Sequence, residues 1–169
     1  MQIAPQATAE LGHVASLIKT IPVAMLTTLN GDGTLDSRPM APLAMDGAGA
    51  LWFFTDLRAA KLHHLQALNL SFSDPGHGTY VSLSGQGEVS TDRIHIEQLW
   101  TAAAKPWFPD GPKSENLALL KITPDAADYW DAPNSTMVRA VGMLASMVAG
   151  RPIGLGTQGS HDGLTARPA

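Results

Sequence analysis

Arg38, Thr55, Arg58 and Lys61 are the residues of this chain best suited to chemistry, and they crowd into the stretch from Ser37 to Leu62. Arg38 stands in an apolar strand and is followed by Pro39 and Met40. A turn, Asp46-Gly47-Ala48-Gly49, leads into Leu51-Trp52-Phe53-Phe54-Thr55, and that strand runs toward a helical pattern carrying Arg58 and Lys61. Hydroxyl and cationic groups beside a fresh helix N-terminus make an anion site, because unpaired N–H groups and the helix dipole both favour negative charge. The aromatic, Met-bearing wall beside it suits a cofactor with a flat ring and a phosphate tail, and FMN fits that description. On residue types alone, solvated charges at the ends of a strand and a helix are the ordinary alternative.

Three further sets could serve such a site. Tyr80, Ser82, Ser84 and Gln86 form the polar side of an alternating run; Trp107 is flanked by Pro106 and Pro109; Trp130 stands beside Asp131. A solvent-facing row of an antiparallel sheet explains the first set equally well, and a buried indole is usually core. The six histidines carry no metal signal. His63 and His64 are adjacent and point to different sides of a helix, and no His-Glu-x-x-His pattern exists, so no metal site is expected. Leu83-Ser84-Gly85 lacks the Gly-x-Ser-x-Gly elbow of a serine nucleophile. No strand-Gly-x-Gly-x-x-Gly-helix unit exists either. No catalytic residue is assigned from the sequence.

These groups need elements to hold them. Leu11, Val14, Ala15 and Ile18 recur at helical spacing over about Thr8 to Lys19. Val23 to Leu29 reads as a strand, Asn30-Gly31-Asp32-Gly33 as a tight hairpin turn, and Thr34 to Met45 as a returning strand made irregular or edge-like by Pro39 and Pro42. Leu51 to Thr55 is a third strand. Leu57, Leu62, Leu65 and Leu68 predict a helix that Asn69 terminates. Leu70 to Ser73 is a short apolar strand, and the turn Pro75-Gly76-His77-Gly78 follows.

Tyr80 to Val89 is the cleanest period-two run, with Gly85 and Gly87 marking a bend or close backbone approach. Thr91 or Asp92 is expected to cap a helix burying Ile96, Leu99, Trp100 and Ala103. Beyond the Lys105–Pro112 loop, Leu117 to Thr123 and Ala127 to Trp130 read as two strands. Ser135 is placed to cap a helix bearing Met137, Val141, Leu144 and Val148. The Gly/Pro-rich tail 150–169 is expected to be disordered, leaving 1–149 as one domain. Roughly six strands with interspersed helices give an α+β class whose core is an antiparallel barrel or sandwich.

Composition narrows the function. The chain has 169 residues, the size of one domain, and a 44% hydrophobic and 15% charged make-up typical of globular proteins. A net charge of −4 argues against nucleic acid, which needs clustered Lys and Arg. With no cysteine, disulfides, thiolate metal sites and cysteine nucleophiles are excluded. No basic segment followed by an apolar run opens the chain, and no apolar stretch reaches the roughly 18 residues of a membrane span. A cytoplasmic protein without membrane partners is expected.

The segments Ser37-Arg38-Pro39-Met40, Leu51-Trp52-Phe53-Phe54-Thr55, Lys61, Tyr80-Val81-Ser82-Leu83-Ser84-Gly85, Leu99-Trp100, Lys105-Pro106-Trp107-Phe108-Pro109 and Tyr129-Trp130-Asp131 also carry a resemblance. In their order and spacing, from about Ile21 to Asp131, the chain resembles the pyridoxamine 5′-phosphate oxidase-like split-barrel flavoproteins, and within them the general stress protein branch. The resemblance implies an α+β fold, an antiparallel split β-barrel with peripheral helices, and a homodimer binding FMN between subunits. It implies flavin contacts at Arg38, Pro39, Met40, Phe54, Thr55, Arg58, Lys61, Ser82, Ser84, Trp107 and Trp130. The family often has Ser two residues before the lysine, where this chain has Ala59. One phosphate hydrogen bond, about 1.5–3 kcal/mol, is then replaced through Arg58 or given up as affinity. The implied activity is flavin-mediated oxidoreduction of an unknown substrate. Non-catalytic flavin binding, or binding of haem or deazaflavin, is the alternative. Pyridoxamine phosphate oxidation itself is not expected. The segment Asp-Ala-Pro-Asn-Ser-Thr-Met-Val-Arg that follows Trp130 offers only Arg139 for a substrate phosphate, where those enzymes carry an Arg-x-His-x-Arg type segment.

Overall fold

The structure, a computed structural model, describes residues 1–59, 65–131 and 157–164. It comprises β1 (Gln2–Ile3), α1 (Ala9–Ile18), β2 (Ala24–Leu29), β3 (Leu35–Met40), β4 (Ala44–Met45), β5 (Leu51–Asp56), β6 (Leu68–Asp74), β7 (Thr79–Ser90), α2 (Arg93–Leu99), β8 (Leu117–Asp131) and β9 (Thr157–Asp162). The strands form one sheet in the order β1-β4-β5-β8-β7-β6-β2-β3, with β9 beside β8. All pairings are antiparallel except β1 with β4. The two ends of the sheet do not pair with each other, so the sheet curls without closing: a split barrel. Pro39 lies on β3, the last strand of that order, where its missing N–H costs no ladder bond.

Local chemistry starts the elements where the sequence places them. The Thr8 hydroxyl accepts from Leu11 N–H and caps α1, and α1 buries Leu11, Val14, Ala15 and Ile18. Of the two cap candidates for α2, Asp92 takes the role, accepting from the N–H groups of Ile94 and His95. Gly33 closes the β2–β3 hairpin at φ 84°, a left-handed value that glycine reaches without a Cβ penalty.

The inner face of the sheet holds the main core. Leu26, Leu70, Leu83, Phe53, Leu120 and Ile122 pack there with the buried side of α1. A second cluster lies on the outer face of β5 and β8, where Phe54, Leu117 and Leu119 meet Ile96 and Leu99 of α2. Both faces of β5 and β8 are therefore buried here, and their sequences are correspondingly near-continuous apolar runs.

Four expectations need correction. Leu65 is not helical, and Leu68 and Asn69 belong to β6. The leucine spacing fits a helix, but Leu68, Leu70 and Phe72 also alternate as buried residues of a strand paired with both β2 and β7. The α2 helix stops at Leu99, because Trp100 turns extended and packs its ring 5.6 Å from Phe54; Ala103 is exposed in a short 3-10 turn. The two short strands expected after Leu117 are one, β8. Pro124 does not break it, because the register shift opposite Ser84 and Gly85 leaves Asp125 as an extra residue there. A Cβ at Gly85 would run into the Thr123 carbonyl oxygen, so the bulge requires glycine.

Last, part of the tail is ordered: β9 pairs with Ala126–Asp131. Its Gly159 lies against the Tyr129 phenol, and His161 stacks on that ring at 5.8 Å. The helix expected after Ser135 lies outside the described residues. No helix among the described residues is long and apolar enough to cross a membrane.

Candidate functional site

Strand register sorts the expected site residues onto two faces. Arg38 pairs with Leu26 and Met40 with Ala24, so both belong to the inner face, and Met40 is buried. Met25, Pro39, Ser71 and Ser82 form one row of the outer face; Thr27, Ser37, Asn69 and Ser84 form the next. Ser73, Tyr80 and Trp130 form a third row, and Leu29 with Leu35 a fourth. The outward residues of β2, β3 and β6 are uncharged; charge enters the face at Asp128 of β8, opposite Ser82, and at Glu88 of β7, which pairs with Lys121. The central polar groups of the face already satisfy one another. The Asn69 amide donates to Ser82 and Ser84 hydroxyls at 2.8 and 3.3 Å and accepts from Ser71 at 2.9 Å, while the Thr27 and Ser37 hydroxyls are hydrogen-bonded to each other at 2.7 Å.

At the far end of the sheet order, β5 carries Phe54 outward and Thr55 inward. Phe54 is held by Trp100 and by Phe108, whose ring is 5.9 Å away. Phe108 brings its loop to this strand, yet the neighbouring Trp107 is 76% exposed. Thr55 is 1% exposed and its hydroxyl has no hydrogen-bond partner among the described residues. A buried hydroxyl left unpaired costs about 1–3 kcal/mol, a cost that a ligand acceptor or donor would remove.

Arg58 and Arg38 differ in what holds them. The Arg58 guanidinium is exposed and bidentate with Asp56, its Nε at 2.9 Å and Nη2 at 2.6 Å from the two carboxylate oxygens. Hydrogen bonding to Asp56, and then its charge, raise the Arg58 pKa further, with a weaker attraction from Asp110. Arg38 is half-buried and donates from Nη2 to the Thr28 hydroxyl at 2.6 Å. Among the described residues it forms no ion pair. A partly desolvated cation balanced by no carboxylate favours an anionic or carbonyl-rich ligand.

The backbone after β5 is already engaged. Leu57 N–H goes to the Asn116 carbonyl, Arg58 N–H to the Asp56 carboxylate and Ala59 N–H to the Asp56 carbonyl. Three amides that could have cradled a phosphate are thus taken. Leu57 and Arg58, where the expected helix begins, form a turn, while Lys61 and Arg139 lie outside the described residues. No group of three potential metal ligands occurs among the described residues.

Geometry thus gathers Phe54, Thr55 and Arg58 at the end of β5 beside the loop bearing Trp107. It places Arg38 and Met40 on the inner side of β3, and Pro39, Ser82, Ser84 and Trp130 on the outer face. Sequence reasoning missed three contributors: Thr28, which holds Arg38; Asn69, which orients Ser82 and Ser84; and Asp56, which holds Arg58. The first was within reach, because the Asn30-Gly31-Asp32-Gly33 turn sets the hairpin register and so brings Thr28 diagonally opposite Arg38.

With the sheet order and these positions in hand, comparison with known proteins becomes informative. The model of the family described as pyridoxamine 5′-phosphate oxidase like matches residues 9–153. The chain belongs to that family. A general stress protein 26 from Jannaschia sp. CCS1 superimposes with a TM-score of 0.73 at 26% identity, covering 92% of this chain and 99% of that one. A general stress FMN/FAD binding protein from Xanthomonas citri is 31% identical, with a TM-score of 0.63 over 76% of this chain and 92% of that one. Protein bli-3 of Neurospora crassa is 24% identical over 156 residues, which span 85% of this chain and 75% of that protein. Membership accounts for the open, curled sheet and for the segment order from Ser37 to Asp131 described above.

Proposed function

We propose that this chain is a flavoprotein of the general stress protein type, holding FMN in a site that a second copy of the chain completes. The observation that carries the reading is Arg38, a half-buried guanidinium whose recorded partner among the described residues is a neutral hydroxyl. The unpartnered, buried Thr55 hydroxyl supports it from the other end of the sheet order. Arg38 and Met40 would hold the ring or the phosphate, with Thr55, Lys61 and Arg58 on the polar end. Phe54, Trp107 and Trp130 would border the ring and exclude water. A bound flavin supplies hydride or electron transfer, which makes the protein an oxidoreductase; the polypeptide binds, orients and tunes. Arg58 must leave Asp56 before it can serve a phosphate, so it contributes less than its charge alone implies.

Two copies are proposed for a physical reason. In one chain the expected contacts are divided between an inner face, a strand end and an outer face. The outer face also leaves Met25 40%, Tyr80 43% and Trp130 45% exposed, with the carboxylate of Asp128 at the β8 end of the Met25 row. The β2, β3 and β6 part of that face is uncharged and can meet its own copy without like-charge repulsion, and hydroxyls already bonded to one another can be desolvated at small cost.

The purified protein is expected to be yellow with the two visible absorption bands of a flavin. A Soret band would replace this reading with a haem protein. Lys61→Ala is expected to weaken FMN binding about 10-fold or more, the value of a charge-assisted hydrogen bond, while leaving riboflavin, which lacks the phosphate, nearly unchanged. Equal losses for the two ligands would assign Lys61 to folding.

A further inference from the structure

We infer that Thr28 is a positioning residue for the flavin site, orienting Arg38 without neutralising it; the inference rests on the reading of Arg38 as a flavin contact. Thr28 lies on β2, opposite Asp36 of β3, while Arg38 is opposite Leu26. The guanidinium reaches diagonally back along the hairpin to the Thr28 hydroxyl, the distance at which a long side chain meets a cross-strand neighbour two residues away. Thr28 is 1% exposed, so its hydroxyl is anchored in the core and cannot swing with solvent. The nearest carboxylate on the same strand and face, Asp36, is bonded instead by the Asn30 amide at 3.0 Å.

The choice of a hydroxyl has an electrostatic consequence. A carboxylate at this position would bind the guanidinium more firmly but cancel most of its charge, as Asp56 does to Arg58. A buried apolar residue would leave the guanidinium without an anchor, and ordering that long side chain would then be a cost of ligand binding. A neutral acceptor fixes one Nη and leaves the positive charge and the remaining N–H donors for the ligand. The β2–β3 pair thereby holds one preorganised cation, whereas the turn after β5 holds one paired with its own carboxylate. Thr28 touches no ligand itself in this assignment; it acts through Arg38.

The test compares Thr28→Val, which keeps shape and burial but removes the acceptor, with Thr28→Ser, which keeps the acceptor, by fluorescence titration of full-length apoprotein with FMN. Thr28→Val is expected to weaken FMN about 10-fold, as for a lost hydrogen bond to a charged group, and Thr28→Ser to stay within about 2-fold of wild type. In an Arg38→Ala background, Thr28→Val is expected to add less than about 2-fold, since the two residues act as one unit. Nitrogen relaxation of the Arg38 guanidinium without flavin provides a second readout, with a rigid Nε in wild type and in Thr28→Ser and a mobile one in Thr28→Val. Unchanged FMN affinity in Thr28→Val, or an equal loss with and without Arg38, would overturn the inference while leaving FMN binding intact. Wild-type protein that binds no flavin would instead overturn the reading it rests on, and Thr28 would then have no ligand role.

Discussion

The two halves of the sheet treat their outer surfaces in opposite ways. On β5 and the first part of β8, the outer face is sealed: Phe54, Leu117 and Leu119 lie under α2, with Trp100 and Phe108 closing the edges. On β2, β3, β6 and β7, the outer face is bare, and small hydroxyls and one amide bond to each other between exposed Met25, Leu29, Leu35 and Tyr80. Both halves share an inner face and one continuous core. The sealed half holds its aromatic residues rigidly by packing and is the stable frame. On β2, β3 and β6 the bare half presents an uncharged surface whose central hydroxyls already bond to one another, which is what a surface needs if another molecule is to cover it.

That contrast is best attacked where the cost is greatest. Leu119→Ala, in the sealed half, is expected to destabilise the chain by about 2–5 kcal/mol, because a fully buried leucine leaves a cavity between α2 and the sheet. Leu35→Ala, 67% exposed in the bare half, is expected to change stability by less than about 0.5 kcal/mol. Urea denaturation of both variants decides it. Similar costs would mean that the bare half is as tightly packed as the sealed one in solution.

The second test asks what covers the bare face. Wild type is expected to sediment as a dimer at micromolar concentration, and Met25→Lys as a monomer with unchanged circular dichroism, since an unpaired cation would be buried at the centre of the outer rows. A wild-type monomer of 17.8 kDa would remove the proposed second copy from the flavin site. A dimer that survives the lysine would move its interface elsewhere.

The smallest effect is expected at the rim of the bare half, in the β6–β7 turn. There the His77 ring, and after it the His77 backbone N–H, hydrogen-bonds Asp74 and lowers its pKa below the ordinary 3.8. A depressed carboxyl contributes stability that is present above the ordinary value and is lost as pH falls through the lower folded value. The imidazole is 69% exposed and the carboxylate 26%, so solvent screens the pair through the histidine and the contribution is small. His77→Ala is expected to return the Asp74 titration, followed by carbon NMR, toward its ordinary value. An unchanged midpoint would show that solvent already outcompetes the pair.

How much of this was legible beforehand follows from the range of the forces involved. Thr8 and its leucines, the alternation from Tyr80 to Val89, and the hairpin at Asn30-Gly31-Asp32-Gly33 act over a few residues, so the sequence alone determined α1, β7 and the β2–β3 pair. Leu51–Thr55 and Leu117–Thr123 were legible as strands; that α2 buries their outer face was not. The family resemblance, carried by segments spread from Ser37 to Asp131, determined the split barrel and the set of residues to inspect. Only the tertiary structure decided between helix and strand at Leu68, because a spacing that serves both periods is settled by which partner strands are available. It alone carried β8 past Pro124 through a bulge and recruited Thr157–Asp162 as β9, since an open sheet edge rewards pairing whatever the local composition of the tail. And it alone distinguished the two arginines: a sequence records the charge of Arg38 and Arg58 equally, whereas the balancing group, a buried hydroxyl for one and a carboxylate for the other, depends on which side chains the register brings within hydrogen-bonding distance.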